Sequence, residues 1–84
     1  MTIAEIKAAA QAELAKKDAK LQCMDFKHTV EISHQDGSHF LLHNAIMEQK
    51  RYGLHELLLV WTEHCGMFFF FVADLHEWRK YKIV

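Results

Sequence analysis

The stretch Phe26-Lys27-His28-Thr29-Val30-Glu31-Ile32-Ser33-His34-Gln35-Asp36-Gly37-Ser38-His39-Phe40 decides the fold class, because two strands and the turn between them can be read from it. Phe26, His28, Val30, Ile32 and His34 alternate with Lys27, Thr29, Glu31 and Ser33, the period-2 pattern of a strand with one buried face. Gln35-Asp36-Gly37 then offers two turns. A two-residue turn at Asp36-Gly37 would set Val30 against His43 and Ile32 against Leu41. A type I turn over Gln35-Asp36 with Gly37 left-handed would set Ile32 against Phe40, Val30 against Leu42, His28 against Asn44 and Phe26 against Ile46. A slip of one residue inverts a face. The second register pairs apolar residues with apolar ones and is the expected one.

Downstream, Gln49-Lys50-Arg51-Tyr52-Gly53 reads as a polar connection ending in glycine. Leu54 to His64 is the expected third strand, His64-Cys65-Gly66 a tight turn and Met67 to Ala73 the fourth strand. Leu57 to Trp61 and Met67 to Val72 are apolar on both faces, as in strands covered above and below. One helix covers one face; the C-terminal segment, sheet curvature or another chain must cover the other. Asp74 and Glu77 have capping-box spacing, with Leu75, Trp78 and Tyr81 as the contact face of a short terminal helix.

Upstream, Thr2 and Glu5 form a capping box. Ile3, Ile6, Ala10 and Leu14 fall near one helical face, and Lys16, Lys17 and Lys20 gather where the helix dipole is negative. The helix is expected over residues 3–17. The fold class is therefore α+β: an N-terminal helix on a four-stranded antiparallel sheet of two hairpins with a short C-terminal helix, in one domain over residues 1–84.

Half of the 84 residues are apolar (51%) and a quarter are charged, which is ordinary for a globular domain. A formal charge of −1 provides no basic field for nucleic acid or an anionic membrane. Protonating the seven histidines would take that charge to +6, so association should respond to pH near 6 to 7. The first residues lack a basic start and continuous apolar run, and no apolar stretch approaches the ~20 residues of a membrane helix. Two isolated cysteines, Cys23 and Cys65, fit a reducing compartment better than a disulfide framework, so the expected location is cytoplasmic.

Histidine richness makes a metal site the first chemistry to weigh. Along a strand His39 and His43 lie ~13 Å apart and His28 and His34 ~20 Å apart, too far for either pair to share one ion. The long-range set Cys23, His28, His64 and Cys65 has no metal-site spacing. Catalysis needs a nucleophile, a base and an orienting group within reach. Glu63-His64-Cys65 alternates across a strand, and Asp74 and Glu77 already serve as cap residues, so neither catalytic residues nor a cofactor is expected. Trp78, Arg79, Lys80 and Lys82 have the basic and aromatic make-up of a nucleic-acid-binding segment, disfavoured by the overall charge. The two-sided apolar strands favour a non-catalytic protein-interaction or regulatory domain. It would contact a protein partner or form a homodimer through an apolar sheet face or edge, with Trp61, Phe68, Phe70, Trp78 and Tyr81 as interface residues.

Overall fold

In the computed structural model, which describes residues 2–18 and 28–82, one helix lies against a five-stranded antiparallel sheet. The elements are α1 (Ile3–Asp18), β1 (His28–His34), β2 (His39–Tyr52), β3 (His55–Thr62), β4 (Met67–Phe71), a 3-10 turn (Val72–Asp74) and β5 (Leu75–Lys82). Across the sheet the strands run β4-β3-β2-β1-β5. Three hairpins make a meander, and the fifth strand returns to pair with the first.

The capping box forms as read: the Glu5 amide donates to the Thr2 hydroxyl at 3.2 Å, and the Thr2 amide donates to the Glu5 carboxylate at 3.0 Å. Ile6, Ala10 and Leu14 are buried, whereas Ile3 stays 47% exposed at the helix start. The first hairpin takes the three-residue register, with Ile32 opposite Phe40 and Val30 opposite Leu42. Gly37 has a φ of +95°, and the Asp36 carboxylate accepts the Ser38 amide at 2.8 Å. The pairing of Phe26 lies outside the described residues, as does Cys23.

Beyond Leu42 the expected register fails, because His28 opposes Ala45 and not Asn44. Asn44, with a φ of +53°, is the extra residue of a β-bulge. Asparagine tolerates this left-handed conformation better than most side chains. The bulge reverses the phase of β2: Leu42 points into one core, and past the bulge Ala45 and Met47 do so, while Ile46 turns toward the helix.

Three further expectations are corrected. The polar connection at residues 49–53 is strand: Lys50 pairs with Leu57, Arg51 with Glu56 and Tyr52 with His55, leaving Gly53-Leu54 as the turn. Alternation separates these residues: Gln49 and Arg51 are exposed on the face away from α1, while on the helix side Lys50 meets Glu13 and Tyr52 packs on the outer core. The fourth strand ends at Phe71 and not at Ala73. The C-terminal helix is β5, so the sheet has five strands and not four. A bulge at His76 causes this last misreading: His34 opposes Leu75 and Ser33 opposes Glu77, leaving His76 unpaired. Leu75 and Trp78 thereby both face the core although three residues apart, a spacing that imitates a helix. Pairing with β1 also satisfies backbone groups that a terminal helix would have left on an open edge.

The three-residue turn at Val72–Asp74 joins opposite edges of the sheet. In a flat sheet those edges would be ~19 Å apart, four spacings of ~4.8 Å. Four residue steps from Phe71 to Leu75 reach at most ~14 Å. The sheet must therefore curl. Curling brings Leu75 and Trp78 of β5 against Leu58 and Val60 of β3 and against Phe68 and Phe70 of β4. Inside the curl lie Val30, Ile32, Ala45, Leu58, Val60 and Leu75; outside, Leu57, Leu59 and Trp61 meet Ile6, Ala10 and Leu14 of α1. Both faces of β3 are thus covered from within the chain.

Replacing Asn44 by valine should cost about 1–2 kcal/mol, because a β-branched residue pays for the left-handed conformation, whereas Asn44→Gly should cost less. Urea unfolding of the two variants checks this. The same measurement on Leu75→Ala should show a loss of about 2–5 kcal/mol if β5 closes the inner core.

Candidate functional site

The two outer strands differ in chemistry. β5 reads Leu75-His76-Glu77-Trp78-Arg79-Lys80-Tyr81-Lys82. Charged side chains and a bulge on an edge are the usual protection against pairing with foreign strands. β4 reads Met67-Phe68-Phe69-Phe70-Phe71 and carries no charge, no proline and no bulge. Its inner side pairs with β3 from Leu57–Phe71 to Trp61–Met67, and among the described residues no strand pairs with its outer side. Its outward N–H and C=O groups form a template for a sixth strand.

Alternation divides the β4 side chains between two supports. Phe69 and Phe71 pack on the core beneath α1, their rings 6.3 Å apart in an edge contact, and His55 meets Phe71 edge-on at 5.9 Å. Phe68 and Phe70 stack at 6.5 Å on the inner core. The strand is held from both faces, while among the described residues its outer edge stays unpaired.

The helix beside this edge is locked in place. The Trp61 indole N–H donates to the Leu14 carbonyl at 3.0 Å from a site 1% exposed, pinning the C-terminal half of α1. Around it Glu13 accepts from Lys50 at 3.1 Å, and Lys17 reaches both Glu13 and Glu48 while lying 6.0 Å from the Trp61 ring centre. The Lys50 hydrogen bond holds the Glu13 carboxyl below its ordinary range, and the Glu48 contact raises Lys17. Burial pushes the Tyr52 phenol up, and its hydroxyl finds no partner among the described residues. At the other end of α1, Ile3 and Lys7 join His55, Phe71, Ala73 and Asp74 around a cleft of about 270 Å³ beside the end of β4.

Of the residues expected at an interface, Phe68 and Phe70 stand on this open strand. Trp61 is core beneath the helix, where its indole is already committed, and it offers no surface to a partner. Trp78 is half-buried against the inner core on the opposite strand, and Tyr81 stands on β5 opposite Thr29. The basic segment is split by strand alternation: Trp78, Lys80 and Lys82 pair with Ile32, Val30 and His28, while Arg79 pairs with Glu31 on the other face. Arg79 contacts Glu31 at 3.2 Å and also Glu77. His34 lies at the inner end of β1 between Phe40 and Phe70, at ring separations of 5.5 and 5.7 Å, and its Nε2 is buried without a partner among the described residues. Glu63, His64 and Cys65 lie in the exposed turn before β4. No group of three or more metal-ligating side chains gathers among the described residues. Met67, Ile3 and Lys7 were not expected at a site: the sequence placed Ile3 only on the apolar face of the helix and Met67 only at the start of a strand.

Compared with protein-family models, curated proteins and solved structures, the chain matches none.

Glu5, Glu13 and Asp36 all have carboxyls held below their ordinary values, Glu5 by the Thr2 amide, Glu13 by Lys50 and Asp36 by the Ser38 amide. A carboxyl depressed in the folded state stabilises it above the unfolded pKa and loses that contribution as the pH falls through the folded value. With ordinary values of 4.5 for the glutamates and 3.8 for the aspartate, the loss falls below about pH 4.5. The urea midpoint should fall over that window, and Lys50→Ala should fall less because Glu13 loses the hydrogen bond that lowers its carboxyl most.

Proposed function

We propose that this chain is a small, non-catalytic protein-interaction domain that self-associates through the outer edge of β4. One observation carries the reading: of two sheet edges, one is defended by charge and a bulge, and the other is an uncharged aromatic strand with no defence. An edge of that composition, left bare, is an aggregation site. Pairing with a second copy would cover it, and the formal charge of −1 opposes that approach only weakly. The curl fills the inner face with the chain's own side chains, which moves the expected contact from a sheet face to a sheet edge. Sparse cysteine use supports a cytoplasmic setting, and among the described residues no helix is long and apolar enough to cross a membrane.

The rival reading, nucleic-acid binding through Trp78, Arg79, Lys80 and Lys82, has less support. Its residues stand on opposite faces of β5, and Arg79 already meets two carboxylates.

Solution mass from light scattering, followed over a wide range of protein concentration, should rise from monomer to dimer. A charge placed on the edge in Phe69→Lys should hold the chain monomeric, while Lys80→Thr on the opposite edge should leave the dimer unchanged. Circular dichroism of each variant reports whether the fold is kept. A monomer at every concentration defeats the reading. Salt-sensitive binding to single-stranded DNA, lost in an Arg79, Lys80 and Lys82 triple alanine variant, would favour the rival.

A further inference from the structure

The outer edge of β4 has a cleft at one end and an unspent side chain at the other. Met67, its first residue, is 40% exposed, and at its last residue Phe71 lies the cleft rimmed by Ile3, Lys7, His55 and Asp74. Ile3 is a large aliphatic residue at the start of an amphipathic helix, yet its side chain is 47% exposed toward that cleft. Resting on the edge reading above, we propose that two copies pair β4 with β4 antiparallel about Phe69, and that Met67 of each copy fills the cleft of the other.

A two-fold axis perpendicular to the sheet reverses strand direction and preserves the faces, which is the relation antiparallel neighbours need. Centred on Phe69, it sets Phe69 against its own counterpart, Phe68 against Phe70, and Met67 against Phe71. Met67, Phe69 and Phe71 oppose Trp61, Leu59 and Leu57, the β3 residues that face α1. All three therefore stand on the helix side in both copies. Met67 of the second copy then arrives beside Phe71 on the side where Ile3 and Lys7 wait. Methionine suits such a place: it is unbranched, adapts to an irregular gap, and its sulfur makes favourable contacts with an aromatic ring.

The charges agree with this arrangement. The turn before Met67 carries Glu63, whose side chain is 49% exposed, and the two-fold brings that turn to the end of the edge where Lys7 stands. Each copy carries both the knob and the cleft, at opposite ends of the same strand, so each contact occurs twice across the axis and the pair closes on itself without growing into a fibre. A strand pair with two methionine knobs falls at the small end of specific interfaces, below about 1,200 Å², so the dimer should be weak and exchange readily.

The test compares dimer dissociation constants by sedimentation equilibrium for the wild-type chain, Met67→Lys, Ile3→Lys, Lys7→Glu, Glu63→Lys and the double variant Lys7→Glu with Glu63→Lys. Met67→Lys and Ile3→Lys should each weaken the dimer at least tenfold while circular dichroism and thermal unfolding stay as in the wild type. The two charge reversals should each weaken it less, and the double variant should recover. In a chain with Cys23→Ser and Cys65→Ser, Phe69→Cys should link into a dimer on mild oxidation and Phe70→Cys should not, because only self-opposed residues come within disulfide reach. A wild-type monomer throughout would overturn the edge reading and this inference together. A dimer that keeps its affinity in Met67→Lys and Ile3→Lys, or that links through Phe70→Cys instead of Phe69→Cys, would overturn this inference and leave the edge reading standing.

Discussion

Three residues, Val72–Asp74, carry the chain from one edge of a five-stranded sheet to the other, and the rest of the architecture follows from how short that link is. Extended chain cannot cover the width of a flat sheet in so few steps, so the sheet rolls until its first and last strands in space meet at that end. Rolling creates an inside. Inner-face residues from all five strands then pack together without a second layer of helices, and α1 is left to cover the outer surface of β2, β3 and β4. Two hydrogen bonds to its carbonyls hold the link in place: the Gln35 backbone amide donates to Asp74 at 3.1 Å, and the Gln35 side-chain amide donates to Ala73 at 3.1 Å. The first hairpin turn is thereby tied to the crossover.

Two bulges make the roll compatible with the sequence. At Asn44 the extra residue switches which side chains of β2 face inward, so that one 14-residue strand serves the inner core with Leu42, Ala45 and Met47 and the outer core with Ile46 and Tyr52. At His76 it sets Leu75 and Trp78 on the same side of β5. A bulge bends its strand and increases the local twist. Both occur on strands adjoining β1, one on each side of it, and they let the sheet close while the hydrophobic pattern slips by one.

The same roll leaves the edges unlike. β5 pairs with β1 through a polar, charged sequence that solvent can bound, whereas β4 takes its side-chain support from both cores and, among the described residues, ends the sheet with an unpaired edge. Supporting a strand of four phenylalanines from two faces fixes its geometry without supplying a neighbour, so the strand is ordered and still open. Helix position matters here too. Trp61 and the Glu13, Lys17, Glu48 and Lys50 contacts fix the C-terminal half of α1 over β2 and β3, which leaves its first turn overhanging the end of β4. The cleft beside Phe71 is the gap beneath that overhang.

The sequence by itself determined the local elements: a capped helix from Ile3, the first hairpin and its three-residue turn, and the positions of β3 and the start of β4. Each is written in interactions between residues close along the chain, a cap, a left-handed glycine or an alternation, and each survives folding because the core agrees with it. Wherever a bulge intervened the periodicity misled, since one inserted residue turns strand spacing into helix spacing at Leu75 and Trp78 and displaces the pairing of His28. Of the expected interface residues, Phe68 and Phe70 were legible as apolar strand, while Trp61 could not be told from an exposed anchor because composition does not record what lies above a side chain. Tertiary structure alone decided that β5 closes against β1, that curvature covers the inner face, and that β4 and β5 are the outer strands. Those outcomes depend on long-range pairing and on the reach of a three-residue link, and no pattern in a single stretch of chain contains either.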